Sequence, residues 1–168
     1  MSAPLPKAAT FAIATSCIPW AVGALLSFVL IYAGGYPDDD GDSSWQTFSS
    51  DWLSPSALVF PVAAALVIGV LAATRPTPHR WLIATRNAVA YAGVLLVISV
   101  VRFVSDGAGQ AVDYAFLTLI VALFTLQLPL CAALSAALAG PLGVAVGEDD
   151  GDACPDAEHR GSGAHSGG

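Results

Sequence analysis

The stretch YAFLTLIVALFTLQLPLCAALSAALAGPLGVAVG, residues 114–147, decides the fold, because it carries no charged side chain from end to end. About 20 apolar residues in helical form cross the core of a bilayer, and a helix satisfies its backbone polar groups internally. Two more charge-free stretches, over 8–37 and 52–74, are also long enough to cross. The sequence therefore predicts an integral membrane protein.

A fourth charge-free stretch, over 87–101, is shorter than the others. As a helix it covers about 22 Å of a hydrocarbon core that is about 30 Å thick. Extending it from Arg102 through Ser105 makes it long enough for a crossing. We therefore predict an all-α fold, an antiparallel bundle of four transmembrane helices, with spans near 10–33, 55–74, 87–105 and 113–139.

The composition argues against two classes of protein. Hydrophobic residues make up 55% of the chain and charged residues 11%, whereas a soluble domain has about 25% charged residues. A soluble protein of this size could not cover its surface with so few charges. The chain also has only six Lys and Arg and a net charge of −7, so we expect no nucleic-acid partner, because no basic stripe can form.

The distribution of Lys and Arg predicts the orientation, because short loops rich in these residues stay in the cytoplasm. The 75–86 connection carries three Arg, whereas the 34–54 connection carries only acidic charges. We therefore predict a multi-pass protein of the cell (plasma) membrane with both termini cytoplasmic. Residues 1–9 would form the cytoplasmic N-terminus, 10–141 the transmembrane domain, and 142–168 an acidic cytoplasmic tail too poor in apolar residues to fold.

The outer loop contains a short helical pattern. Trp45, Phe48 and Trp52 follow at i, i+3 and i+7, which places three aromatic rings on one face of a helix. Aromatic residues are common anchors at membrane surfaces, so one interpretation is a short amphipathic helix that lies on the outer leaflet. The other interpretation is a lid over a site between the transmembrane helices.

Arg102 is the one charged residue inside a predicted span, and such residues are functional candidates because their burial in lipid is costly. It lies near the outer end of its helix, with Asp106 at i+4 and Asp113 at the start of the next helix. One hypothesis is an interfacial Arg that reaches the headgroups and pairs with Asp106 or Asp113. The other is an Arg that faces an anionic ligand or lines a conduction path.

Gln127 and Pro129 form the most notable polar position inside the fourth span. The proline frees a backbone carbonyl near residue 125 and is expected to kink the helix, as is Pro19 in the first span. Gln127 is expected to satisfy that carbonyl or to bond a neighbouring helix. A direct contact with a substrate is the alternative role for Gln127.

Catalytic and metal-binding patterns are missing from the spans, whose interiors hold no Asp, Glu, His or Lys. Embedded hydrolases, metal sites and proton pumps need such side chains, so we expect neither an enzyme nor a cofactor or metal site. Cys17 and Cys131 are predicted to lie at similar depths. They are either small packing residues or a thiol-redox pair.

Small residues recur at four-residue spacing in two spans, as Ala65, Gly69 and Ala73 and as Ala132, Ala136 and Gly140. Such rows let helices approach closely, within one chain or between copies. The first function hypothesis is therefore a non-enzymatic accessory or structural membrane component that acts through helix packing. The alternatives are a subunit of a small oligomeric channel or transporter, and a membrane thiol-redox protein. The expected partners are the lipid bilayer and either further copies of the chain or a larger membrane complex.

Overall fold

The fold is all-α. The computed structural model describes residues 5–33, 43–75, 77, 79–105, 107 and 110–142, and 89% of these are helical with no strand among them. The helices are α1 (Leu5–Ser27), α2 (Ser44–Phe48), α3 (Pro55–Thr74), α4 (Arg80–Ser105), α5 (Ala111–Phe124) and α6 (Gln127–Ala139). A π-helical turn extends α1 over Phe28–Tyr32, and a second one extends α2 over Ser49–Leu53. The acidic tail predicted to be disordered lies outside the described residues, apart from Leu142.

Three helical segments are long and apolar enough to cross a membrane, namely Pro6–Leu30, Ser44–Thr74 and Arg80–Ser105. The pair α5 and α6 meets the same requirement only when both are counted together, because they are bent by 56° at a short break. Large apolar side chains cover the outside of these helices, as at Leu66, which is 66% exposed. The protein therefore has the helices of a membrane protein, three of them or four with the bent pair.

The fourth predicted span is two helices and not one. Thr125 and Leu126 interrupt it, and Leu126 takes the left-handed conformation with φ of 61°. Pro129 explains the position of the break, since proline has no N–H to donate to the carbonyl four residues earlier, at Thr125. α1 continues through Pro19 without a break, and the kink expected there stays a prediction.

The short helix predicted in the outer loop is present as α2. Ser43 caps it: its hydroxyl accepts from the Gln46 N–H at 3.3 Å, while the Gln46 Oε1 accepts from the Ser43 N–H at 3.0 Å. Such reciprocal caps satisfy two backbone donors that a helix start otherwise leaves open. Phe48 is buried with its ring centroid 5.0 Å from that of Phe28. The loop helix is therefore packed onto the extension of α1.

One glycine of each small-residue row lies against another helix of the same chain. A Cβ built on Gly69 would lie 3.4 Å from the Cβ of Ala12, so the row of α3 faces α1. A Cβ built on Gly140, at the end of the α6 row, would lie 3.1 Å from an Arg80 nitrogen. Close approach of these helices buries Ala64, Ile68 and Ala72 in the core.

Candidate functional site: a cavity between the helices

The site is built on the interface between α4 and α6. Both helices bury residues at four-residue spacing, which places each set on one face. On α4 these are Asn87, Tyr91, Leu95 and Ser99, and on α6 they are Gln127, Cys131, Ser135 and Ala139.

The first part of this interface is a packed set of hydrogen bonds. Asn87 Nδ2 donates to Ser135 Oγ at 3.1 Å, and the Tyr91 hydroxyl donates to Gln127 Oε1 at 3.0 Å. Gln127 Nε2 in turn donates to Thr125 Oγ1 at 3.0 Å, beside the helix break. Gln127 therefore bonds a neighbouring helix, one of the two roles expected from the sequence.

Gln127 fits only because α1 has a glycine opposite it. A Cβ placed on Gly23 would collide with Cγ and Cδ of Gln127. Gln127 is 3% exposed, and its hydrogen bonds with Tyr91 and Thr125 hold the side chain in this position. We refer to Gly23, Asn87, Tyr91, Gln127 and Ser135 as the packed cluster.

Beyond Gln127, towards α2, the helices separate and leave between them a cavity of about 140 Å³ that is partly open at the protein surface. Apolar walls come from Trp20, Trp52, Phe60 and Leu95, and Gln127 forms part of its lining. The rings of Trp20 and Trp52 lie 6.2 Å apart between centroids, so the turn that follows α2 helps to cover the cavity. Of the three aromatic residues in the outer-loop helix only Trp52 lines the cavity, so the lid interpretation stays a prediction.

Arg102 lines the cavity together with Asp51. Arg102 Nη2 lies 4.0 Å from Asp51 Oδ1, and the two side chains are 41% and 45% exposed. The predicted pairing with Asp113 is not seen within the described residues, where Asp113 is exposed in the first turn of α5. Asp106 lies outside the described residues, so its pairing with Arg102 stays a prediction.

Ser99 supplies a polar group in the wall of the cavity. Its side chain is 8% exposed, and its hydroxyl forms no hydrogen bond with any described residue. Arg102 follows three residues later, on the same face of α4. A hydroxyl and a guanidinium therefore converge on one apolar cavity.

The thiol-redox and metal hypotheses gain nothing from this geometry. Cys17 is half-buried, Cys131 is buried, and both are free thiols. In the described part of the chain, no three His, Cys, Asp or Glu residues lie close enough together to hold a metal ion.

Sequence reasoning missed three contributors to the site. No role was predicted for Asn87 and Tyr91, at the start of the third span. Their four-residue spacing, which continues to Ser99, places all three on one face of α4 and could have indicated it. Asp51 was counted only as part of an acidic loop, because nothing local connects it to Arg102.

No protein-family model, no curated protein and no solved structure matches this chain. The chemistry of the cavity's own residues is therefore what points to a function.

Proposed function

We propose that the protein is a non-enzymatic, multi-pass plasma-membrane protein that takes a small solute into this cavity, as a subunit of a small channel or transporter. The observation that carries the proposal is the helix break at Leu126, beside a cavity lined by Gln127, Ser99 and Arg102. Irregular backbone at membrane depth is tolerated where protein buries it or where it lines a cavity. Discontinuous helices form binding sites in many transporters for this reason.

The proposed topology has four antiparallel crossings, with α5 and α6 together as the fourth, and both termini in the cytoplasm. Contacts in reversed order support antiparallel neighbours: Gly69, late in α3, lies against Ala12, early in α1. Asn87 and Tyr91 likewise meet Ser135 and Gln127 in reversed order. The three Arg between 75 and 86 favour the cytoplasm for that end. The cavity then opens towards the outside.

An accessory role through helix packing is the second candidate, and one observation favours it. Gly69 and Gly140, one member of each small-residue row, already contact helices of their own chain, so we look for a partner surface elsewhere. α3 offers an open apolar groove lined by Leu58, Val59, Val62 and Leu66. A homo-oligomer or a larger membrane complex would be assembled through this groove.

Solute flux in liposomes tests the first candidate, using chloride, acetate, glycine and glycerol as an anion, a carboxylate, a zwitterion and a neutral solute. Ala57→Leu fills the cavity, because Ala57 lies in its wall. The matched control is Ala63→Leu, on the same helix but lining the outer groove. We expect flux of at least one solute, reduced about tenfold by Ala57→Leu and unchanged by Ala63→Leu, a difference of about 1.4 kcal/mol.

Arg102→Ala, measured alongside, should change which solute passes, because it removes the positive charge that lines the cavity. Equal flux through both alanine-to-leucine variants would contradict the proposal, as would no flux from protein that remains folded by circular dichroism. Crosslinking of Leu58 variants in native membranes would then test the accessory role.

A further inference from the structure

We propose that the cavity binds a small molecule that joins an anionic oxygen group to a compact apolar body. Arg102 and Ser99 hold the anionic group, and Trp20, Phe60 and Leu95 contact the apolar body. The inference rests on the proposed function in that it assigns a ligand class to the same cavity. Binding is measured without transport, so the two proposals can fail separately.

The size of the cavity limits the ligand. Its volume of about 140 Å³ is close to the roughly 150 Å³ of an apolar protein cavity that holds benzene. The apolar part of the ligand is therefore about one six-membered ring, or an aliphatic chain of similar volume. Because the cavity is partly open, a charged group can remain at its mouth beside Arg102.

The walls favour an apolar and preferably aromatic body. Trp20 and Trp52 are tilted by 48° to each other, and the Phe60 ring is fixed edge-on against Tyr91 with centroids 4.9 Å apart. Aromatic rings held in this way offer faces and edges to a further ring at about 4.5–7 Å. Leu95, on the buried face of α4, completes the apolar surface.

Arg102, at the mouth of the cavity, is able to bind an anion because its ion pair with Asp51 is weak. The Arg102–Asp51 distance of 4.0 Å is well beyond the roughly 2.7–2.9 Å of a charge-assisted hydrogen bond. Both side chains are substantially exposed, and such pairs contribute little to stability. A carboxylate or phosphate that approaches Arg102 directly, with two oxygens on its fork of N–H donors, makes the stronger contact.

Ser99 supplies a second polar group, beside Arg102, for the anionic part of the ligand. Ser99 lines the cavity on the same face of α4 as Arg102, and no described residue shares a hydrogen bond with its hydroxyl. An anionic oxygen held by Arg102 would accept the Ser99 O–H.

Two sources offer this chemistry, a small carboxylate from water and the phosphate group of a lipid. We test both with purified protein in nanodiscs, using 4-nitrobenzoate as the probe and uncharged 4-nitrobenzamide as its control. Nitroaromatic rings quench tryptophan fluorescence on contact. Trp45→Phe with Trp81→Phe leaves Trp20 and Trp52, the two tryptophans of the cavity, as the signal.

We expect saturable quenching by 4-nitrobenzoate, with an affinity at least tenfold above that of 4-nitrobenzamide. Arg102→Gln should reduce it to the level of the amide, and Ser99→Ala should weaken it about threefold, a loss of one hydrogen bond. Asp51→Asn should strengthen it, because the competing carboxylate is gone. Arg75→Gln, at the distant end of α3, is the matched control and should change nothing.

Equal affinity for the acid and the amide would overturn the proposal, as would unchanged binding in Arg102→Gln. If Arg102→Gln fails to fold, weaker binding in Asp51→Asn overturns the proposal instead.

Phosphatidylglycerol nanodiscs distinguish a lipid phosphate from a soluble carboxylate as the natural ligand. The measurement is made at high salt, which screens the surface potential of the membrane. Lost binding there assigns the site to a lipid phosphate, and retained binding assigns it to a soluble carboxylate. Binding without flux leaves this inference standing and overturns the transport proposal.

Discussion

The two halves of α4 differ in what their buried face meets. In the first half, Asn87 and Tyr91 donate to Ser135 and Gln127 of α6. In the second half, Ser99 continues the same spacing but faces a cavity, because α6 begins only at Gln127 and α5 departs from it by 56°. One pattern of residues therefore forms a packed interface where its partner helix is present and the wall of a cavity where that helix is broken.

The largest expected effect is in the packed cluster, with Gly23→Val. The added side chain collides with Gln127, and moving Gln127 aside breaks its hydrogen bonds with Tyr91 and Thr125. Overpacking of this kind lowers the free energy of unfolding by about 3 kcal/mol. The measurement is the shift of the SDS unfolding midpoint in mixed micelles. Gly93→Val is the control, since nothing lies within 4 Å of a Cβ at Gly93. Equal stability of the two variants would show that Gly23 is not closely packed.

The next effect concerns a hydroxyl of the packed cluster. Tyr91→Phe removes the donor to Gln127 Oε1 and leaves that oxygen buried without it. We expect a loss of about 1 kcal/mol in the free energy of unfolding. No loss would mean that the hydrogen bond is replaced, for example by water.

A smaller effect is expected at the boundary between the halves. Leu126→Gly removes the cost of a left-handed leucine, but glycine also makes the unfolded chain more flexible. We expect the two effects together to raise the free energy of unfolding by about 0.5 kcal/mol. Leu123→Gly is the matched control, because both leucines are 52% exposed but Leu123 lies within α5. Leu123→Gly should lower the free energy of unfolding by about 1 kcal/mol, because glycine destabilises a helix interior. A loss at Leu126 as well would contradict the left-handed break.

The smallest effect is expected on the open half. Ser99→Ala removes a hydroxyl, as Tyr91→Phe does, but this one has no partner among the described residues. Its stability should therefore stay within about 0.5 kcal/mol of the parent, while binding of 4-nitrobenzoate weakens. A stability loss equal to that of Tyr91→Phe would remove the distinction between the two halves.

Local features of this protein follow from its sequence. Charge-free length predicts α1 and α3, and the spacing of Trp45, Phe48 and Trp52 predicts a helix at α2, but α4 begins at Arg80, before the predicted span 87–105. Pro129 predicts a disturbance of the fourth apolar stretch, because its effect on the preceding carbonyl is local. It does not predict that Leu126 takes a left-handed conformation, since that also depends on how α6 packs.

The site itself depends on distant contacts, which sequence reasoning could not supply. For Arg102, the nearest acids in sequence, Asp106 and Asp113, were the natural candidates. The described structure places Asp51 beside it, which the packing of the loop after α2 brings across the bundle. The cavity could not be predicted from the sequence either. The four-residue spacing of buried residues on α4 continues to Ser99, and it does not show that a packing partner is missing there.

The broken helix has a consequence for how the protein is made. α5 and α6 have 14 and 13 residues, about 21 Å and about 20 Å of helix, so neither covers a core of about 30 Å alone. If they form the fourth crossing, the insertion machinery must release them into lipid as one apolar segment. The bend and the Gln127–Tyr91 hydrogen bond would then form afterwards, when α4 is already beside it. Assembly of the cavity would then be the last step of biogenesis, and chains that end after Ser105 would lack it although the three helices long enough to cross a membrane are complete.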